Sequence, residues 1–225
     1  AAYRMNLATC DTEGIDSVSR RNSQRVTFGW FLSLYFLQNF AQGVLPPLLP
    51  QIMEGLSLSF ASAGLLGASF GAARFVVDLP AGILAERLGI SRVLYTGLGL
   101  VFMGTCLTAM AGSLFAMLLG RGLVGLGSGM SVVVAILYLM RRAPAEQRTR
   151  WGNLYEAAVI SGLAVSAQLG GMIAAWWSWR WSFAMAAMVL LLAWAVAALR
   201  VVPGIRGALD DRDPSPWGSS KGACP

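Results

Sequence analysis

Four charged side chains stand inside stretches of sequence that are otherwise apolar: Arg74, Asp78, Arg121 and Glu156. Arg74 and Asp78 are four residues apart, so on a helix they share a face and can neutralise each other. On insertion scales, one charge at the centre of a bilayer costs about 2.5–3.5 kcal/mol, and ionisable residues at that depth mark functional positions. We therefore take the four residues as candidates for handling an ion or a polar group inside a membrane.

A stripe of uncharged polar residues lies in the first apolar stretch, at helical positions i, i+3, i+4 and i+7: Tyr35, Gln38, Asn39 and Gln42. One interpretation is hydrogen bonding between helices, at about 0.6–2 kcal/mol per bond. The other is the wall of a water-filled cavity, which four adjacent polar groups facing one way suit better. Aromatic and amide groups with few charges favour a largely apolar or amphiphilic substrate.

The composition places these residues in an integral membrane protein. The chain has 225 residues, of which 56% are hydrophobic and 12% charged, against about 25% charged in soluble domains. Since about 20 apolar residues cross the hydrocarbon core, the apolar runs predict six spans: 26–49, 58–85, 93–111, 114–140, 151–175 and 181–199. The predicted organisation is a cytoplasmic tail (1–25), a six-helix transmembrane domain (26–200), and the start of a cytoplasmic loop or tail (201–225).

Basic residues set the orientation of these spans. Fourteen of the 17 fall in the two tails and in the second and fourth connections, against Arg180 alone in the other three connections. Because Lys and Arg accumulate in cytoplasmic loops, both termini are predicted to lie in the cytoplasm. A cluster at the opposite face is typical of an interfacial aromatic belt: Trp176, Trp177, Trp179 and Trp181.

The residue inventory excludes several classes of protein. The basic residues are scattered over short loops, so a nucleic-acid partner is not expected. Cys10, Cys106 and Cys224 are far apart, which predicts neither a disulfide framework nor a metal site. The chain has no His, so histidine-based catalysis or proton relay is excluded. No phosphate-binding loop is present either, and no cofactor is expected.

The connection between the second and third spans carries a recognisable motif, Gly82-Ile83-Leu84-Ala85-Glu86-Arg87-Leu88-Gly89, followed by Arg92. It resembles the signature Gly-x-Leu-Ala-Asp-Arg-x-Gly of the major facilitator superfamily of secondary transporters, with Glu86 in place of Asp. The resemblance implies a gating role for the loop residues Gly82, Glu86, Arg87, Gly89 and Arg92.

Further matches follow in the order and spacing of that family. In the fourth span, Arg121-x-x-x-Gly125-x-Gly127-x-Gly129 resembles the motif whose Arg is associated with proton coupling, which implies that role for Arg121. In the fifth, Gly162-x-x-x-Ser166-Ala167-x-x-Gly170-Gly171 resembles the antiporter motif but lacks its central Gly-Pro. We assign helix packing to the glycines, because small residues let helices approach closely in lipid: Gly125, Gly127, Gly129, Gly162, Gly170 and Gly171.

The resemblance implies an all-α membrane fold that is the N-terminal six-helix half of a twelve-helix transporter working by alternating access, of an efflux or proton-coupled type. The implied partners are a small-molecule substrate, a proton as a candidate coupling ion, the lipid bilayer of a bacterial inner membrane, and a missing C-terminal half or a second copy. The chain is then expected to be a fragment. The alternatives are a six-helix scaffold or inactive half-transporter, a channel, and a membrane enzyme.

Overall fold

A computed structural model describes residues 24–203, which are helical almost throughout. The described part of helix α1 occupies 24–43. The other helices follow as α2 (Leu45–Leu56), α3 (Phe60–Leu88), α4 (Ile90–Met110), α5 (Leu114–Arg142), α6 (Arg148–Trp176) and α7 (Trp179–Val196). A 3₁₀ turn, Ala145–Gln147, precedes α6, and a π-helical turn, Ala197–Val201, follows α7. The predicted tails lie almost wholly outside the described residues.

Five of the described helices, α3 to α7 with their flanking turns, are long and apolar enough to cross a membrane. They confirm the all-α membrane fold and match the second to sixth predicted spans. Serine side chains cap three of them: Ser59 accepts a hydrogen bond from the Ser62 N–H, Ser113 from the Ala116 N–H, and Ser178 from the Arg180 N–H. These caps satisfy backbone donors that the first helical turn leaves unpaired.

The first predicted span, 26–49, differs from the single helix that its apolar run indicates. It is divided into α1 and α2, and the second helix continues to Leu56. Pro46 and Pro47 have no N–H to donate to the preceding turn, which interrupts the hydrogen-bond ladder. Val44 keeps right-handed helical angles, with φ −66° and ψ −35°. The ladder is therefore broken at Val44 while the backbone there remains helical.

Close contacts between small residues hold α4 against α5. A Cβ atom added at Gly104 would lie 2.5 Å from the Gly120 carbonyl oxygen, and one at Gly97 would lie 2.9 Å from the Gly127 carbonyl oxygen. Neither position has room for a side chain without movement of the facing backbone. Glycine thus sets the short distance between these two helices, as expected where packing drives association.

The buried apolar residues form two clusters, one towards each end of the helices. The first includes Phe31, Tyr35 and Val134, and the second includes Ala41 and Val124. Between them along α1 and α5 come buried polar side chains, namely Gln38, Ser128 and Ser131. Buried polar side chains therefore separate the two apolar clusters along α1 and α5.

Candidate functional site

Arg74 and Asp78 of α3 form an ion pair. The Arg74 Nε and Asp78 Oδ2 atoms are 3.8 Å apart, and the two side chains are 38% and 43% exposed. Gly129 of α5 lies directly behind them, since a Cβ there would be 2.7 Å from Asp78 Oδ1. The pair is thus supported by α5 on one side and open on the other.

Arg121 of α5 is buried, with 7% of its surface exposed. Its guanidinium carbon lies 5.0 Å from the centre of the Phe70 ring of α3, a distance at which a cation is attracted to the ring face. Within the described part of the chain, its buried Nε has no hydrogen-bond partner. An unpaired buried donor costs about 1–3 kcal/mol, so helix packing alone gives no reason for an arginine here.

The polar stripe of α1 is divided between interior and surface. Tyr35 and Gln38 are fully buried, whereas Asn39 and Gln42 are partly exposed. The Tyr35 hydroxyl donates to the Ser131 carbonyl oxygen of α5 at 2.5 Å, and the Asn39 amide donates to the Tyr35 carbonyl oxygen at 2.8 Å. Tyr35 therefore makes the inter-helix bond of the first interpretation. Gln38 Oε1 is buried without a partner among the described residues.

An aromatic network that the sequence reasoning did not identify connects α1, α5 and α6. Ring centres are 4.4 Å apart between Phe31 and Tyr138, and 5.2 Å between Tyr35 and Tyr155. The Arg74 guanidinium and the Glu156 carboxylate lie within electrostatic range of Tyr155. Phe28, Phe31 and Tyr35 are spaced by three and four residues, which is the signal that indicates one helical face.

Glu156 itself is exposed on α6, next to the buried Tyr155. It lies two turns after the helix begins at Arg148. The sequence places this carboxylate inside an apolar span, and the structure places it on the surface of that span.

The connection between α3 and α4 consists of Gly89 alone. Its φ of +86° is in a region that favours glycine, and its N–H donates to the Ala85 carbonyl oxygen at 3.1 Å. Glu86 and Arg87 are exposed in the last turn of α3, as is Arg92 in the first turns of α4, while Gly82 is half-buried. The motif therefore presents its charges at one end of the helical domain.

The glycines of α5 and α6 lie against neighbouring backbones. Added Cβ atoms at Gly125 and Gly162 would meet the carbonyl oxygens of Phe70 and Phe36, and one at Gly127 would meet that of Gly97. The fit is looser at Gly170, where the nearest atom belongs to Val44 at 3.3 Å, and at Gly171, where it belongs to Pro47 at 3.7 Å. These positions join α5 to α3 and α4, and α6 to α1 and α2.

Comparison with known proteins identifies relatives in sequence and solved structures with a similar fold. A relative described as "Putative multidrug resistance protein MdtD", from Escherichia coli O1:K1, is 28% identical over 176 residues, which cover 77% of this chain and 37% of the relative. The fold is similar to that of a crystal structure of the peptide transporter POT in complex with sulfate, with a TM-score of 0.68 and 19% identity, covering 76% of this chain and 37% of that one. A mutant of POT in complex with alafosfalin gives a TM-score of 0.66 at 18% identity, covering 78% and 41%.

The chain thus spans well under half the length of the relatives that it matches. A family model for the Major Facilitator Superfamily matches residues 31–221, a range that contains all the candidate site residues. Since this match covers most of the chain and agrees with the motifs and with the helical fold, the protein belongs to the Major Facilitator Superfamily.

Proposed function

We propose that this chain is the N-terminal half of a secondary transporter that moves a small amphiphilic molecule across a bacterial inner membrane by alternating access. The transporter is of an efflux or proton-coupled type. Both termini of this chain lie in the cytoplasm. The observation that carries the proposal is the half-exposed Arg74–Asp78 pair on a helix that crosses the membrane.

The depth of the pair supports this function. Arg74 is the central residue of α3, which runs from Phe60 to Leu88, so about 21 Å of helix extends on either side at 1.5 Å per residue. Substrate and ion sites of secondary transporters lie near the bilayer midplane, at the interface between repeats. An ion pair at that depth and open on one side is suited to a cavity rather than to lipid.

The open side also supports a missing partner half. In the most apolar window of α3, 17% of the residues are buried, against 50% in α5. Because an open charged pair is costly next to lipid, we propose that protein and water cover this face of α3. A C-terminal six-helix half or a second copy of this chain supplies that cover.

The substrate class follows from the polar stripe and from the relative's name. Asn39 and Gln42, partly exposed on α1, provide amides without charge, which suits an amphiphilic molecule with few ionic groups. The relative's description as a multidrug resistance protein favours efflux of such compounds. Arg121 is the proposed proton-coupling residue, and the α3–α4 loop is the proposed gate. Exposed Glu156 has two proposed roles, to join that gate or to accept a proton.

The mass of the native protein tests the missing half. The 225-residue chain has a mass of 23.9 kDa. An antibody against residues 141–150 is expected to detect a membrane protein of roughly twice that mass, because a twelve-helix transporter has two such halves. A single band near the mass of this chain would contradict a fused second half, and cross-linking would then test for a dimer.

Removal of the Asp78 charge tests the site. We expect Asp78→Asn in the full-length transporter, which preserves side-chain size in front of Gly129 but leaves Arg74 without its ion pair, to abolish uptake of ethidium, an amphiphilic cation, into everted vesicles, where an exporter moves its substrate inward. Membrane insertion and protein amount should be unchanged. The matched control is Asn153→Ala, since Asn153 is an exposed polar residue of α6 outside the site. Wild-type efflux by Asp78→Asn would rule out a role for the pair in transport.

A further inference from the structure

A cavity of about 400 Å³ lies at one end of the helical domain, where α1, the α5–α6 connection and α6 meet. Its polar lining residues are two arginines and two glutamines, namely Arg25, Arg150, Gln24 and Gln147. Its apolar wall includes Phe28 and Trp151, whose rings stack with centres 3.9 Å apart. Among the described residues that line it, none is acidic.

The positively charged residues that line the cavity favour an anionic ligand. Two arginines facing one space repel each other unless a negative group lies between them, and guanidinium groups bind phosphate oxygens through paired hydrogen bonds. The amides of Gln24 and Gln147 add further donors. A volume of about 400 Å³ is within the range of small-molecule sites, about 300–1,000 Å³, and exceeds what a bare phosphate fills.

The depth of the cavity indicates the source of that phosphate. The span that contains α6 has 32 residues, from Ala145 to Trp176. This length is about 48 Å at 1.5 Å per residue, whereas the hydrocarbon core is about 30 Å thick. Exposed Trp176 marks one interface, and about 20 residues back, at the far edge of the core, comes Glu156. Arg150 and Trp151 are then level with the lipid headgroups.

We propose that this cavity binds the phosphate headgroup of an anionic phospholipid from the surrounding leaflet. Arg25 and Arg150 hold the phosphate, the glutamine amides hold the polar part of the headgroup, and the Phe28–Trp151 wall contacts the glycerol and the start of the acyl chains. The bound lipid joins α1 to α6. This site is separate from the proposed transport site, and the proposal does not depend on transport.

Native mass spectrometry of the purified chain tests the site, with phosphatidylglycerol and phosphatidylcholine of identical acyl chains as probes. We expect one phosphatidylglycerol to bind at least about tenfold more tightly than phosphatidylcholine, because each arginine near the membrane surface strengthens binding of an anionic lipid. The double variant Arg25→Gln/Arg150→Gln should lose that preference and bind both lipids alike. Both arginines are exposed, so the variant is expected to fold.

The matched control is Arg87→Gln/Arg92→Gln, which removes the same charge from exposed positions at the α3–α4 turn. It should retain the tight site. An unchanged preference for phosphatidylglycerol in Arg25→Gln/Arg150→Gln, or equal loss in the control, would overturn the site. Displacement of the lipid by glycerol 1-phosphate at equal concentration would instead identify a soluble phosphate ester as the ligand and overturn the lipid assignment.

Discussion

Arg121→Leu is expected to reduce ethidium efflux by the native transporter to the level of vesicles that lack the protein. The arginine lies buried against the Phe70 ring, with its Nε unpaired among the described residues. Leucine buries neither a charge nor an unpaired donor, and an unpaired buried donor costs about 1–3 kcal/mol. The unfolding temperature should therefore stay the same or rise while transport is lost. Ethidium uptake into everted vesicles, where an exporter moves its substrate inward, and thermal unfolding in detergent measure the two quantities.

Arg200→Leu is the matched control for this experiment. Arg200 also lies over an aromatic ring, 5.2 Å from the centre of Trp30, but it is exposed at the end of the last helix. We expect its variant to transport normally. If Arg121→Leu also transports normally, Arg121 has no role in coupling and the six-helix scaffold becomes the better hypothesis. A large fall in unfolding temperature would instead show that Arg121 is a structural residue.

Gly127→Ala is expected to destabilise the helical domain by about 1–3 kcal/mol, the usual cost of overpacking. Its new methyl group would meet the Gly97 carbonyl oxygen of α4 and lie 2.8 Å from the Val101 side chain. The higher helix propensity of alanine, worth up to about 1 kcal/mol, is too small to offset this clash. The unfolding temperature, followed by tryptophan fluorescence of the purified chain in detergent, should fall by several degrees.

Gly122→Ala makes the same chemical change five residues earlier in α5. An added Cβ at Gly122 has no neighbouring atom within 4 Å, so we expect no loss of stability and a small gain from helix propensity. A comparison of the two variants separates packing against α4 from any general effect of glycine in the helix. Equal unfolding temperatures for both would show that α4 and α5 can separate without cost and that the close approach is unimportant.

Much of the fold could be predicted from the sequence because the membrane imposes strict rules. Apolar runs of about 20 residues must be helices, since lipid offers no partner for backbone N–H and C=O groups. That rule gave the second to sixth spans within a few residues. It did not give the division of the first span at Val44, because Pro46 and Pro47 break the hydrogen-bond ladder without interrupting the apolar run.

Less of the candidate site could be predicted, and the polar stripe shows why. Its period correctly places four residues on one helical face, yet Tyr35 and Gln38 are buried while Asn39 and Gln42 are partly exposed. In a soluble protein, the polar face of a helix meets water. In a membrane protein a polar face can meet a cavity or another helix, and the sequence period is identical in the two cases.

The sequence by itself determined the class of the protein, the order of its second to sixth apolar spans and the motifs that identify the family. These are local properties, fixed by hydropathy, by backbone conformation and by residue spacing. Only the tertiary structure decided which partner each polar group meets. In the packed structure, the Tyr35 hydroxyl donates a hydrogen bond to a carbonyl oxygen of α5, Arg121 lies against the Phe70 ring, and Glu156 is exposed. Lipid and protein interior are both apolar, so the sequence pattern cannot distinguish a helical face that packs against protein from one that faces lipid.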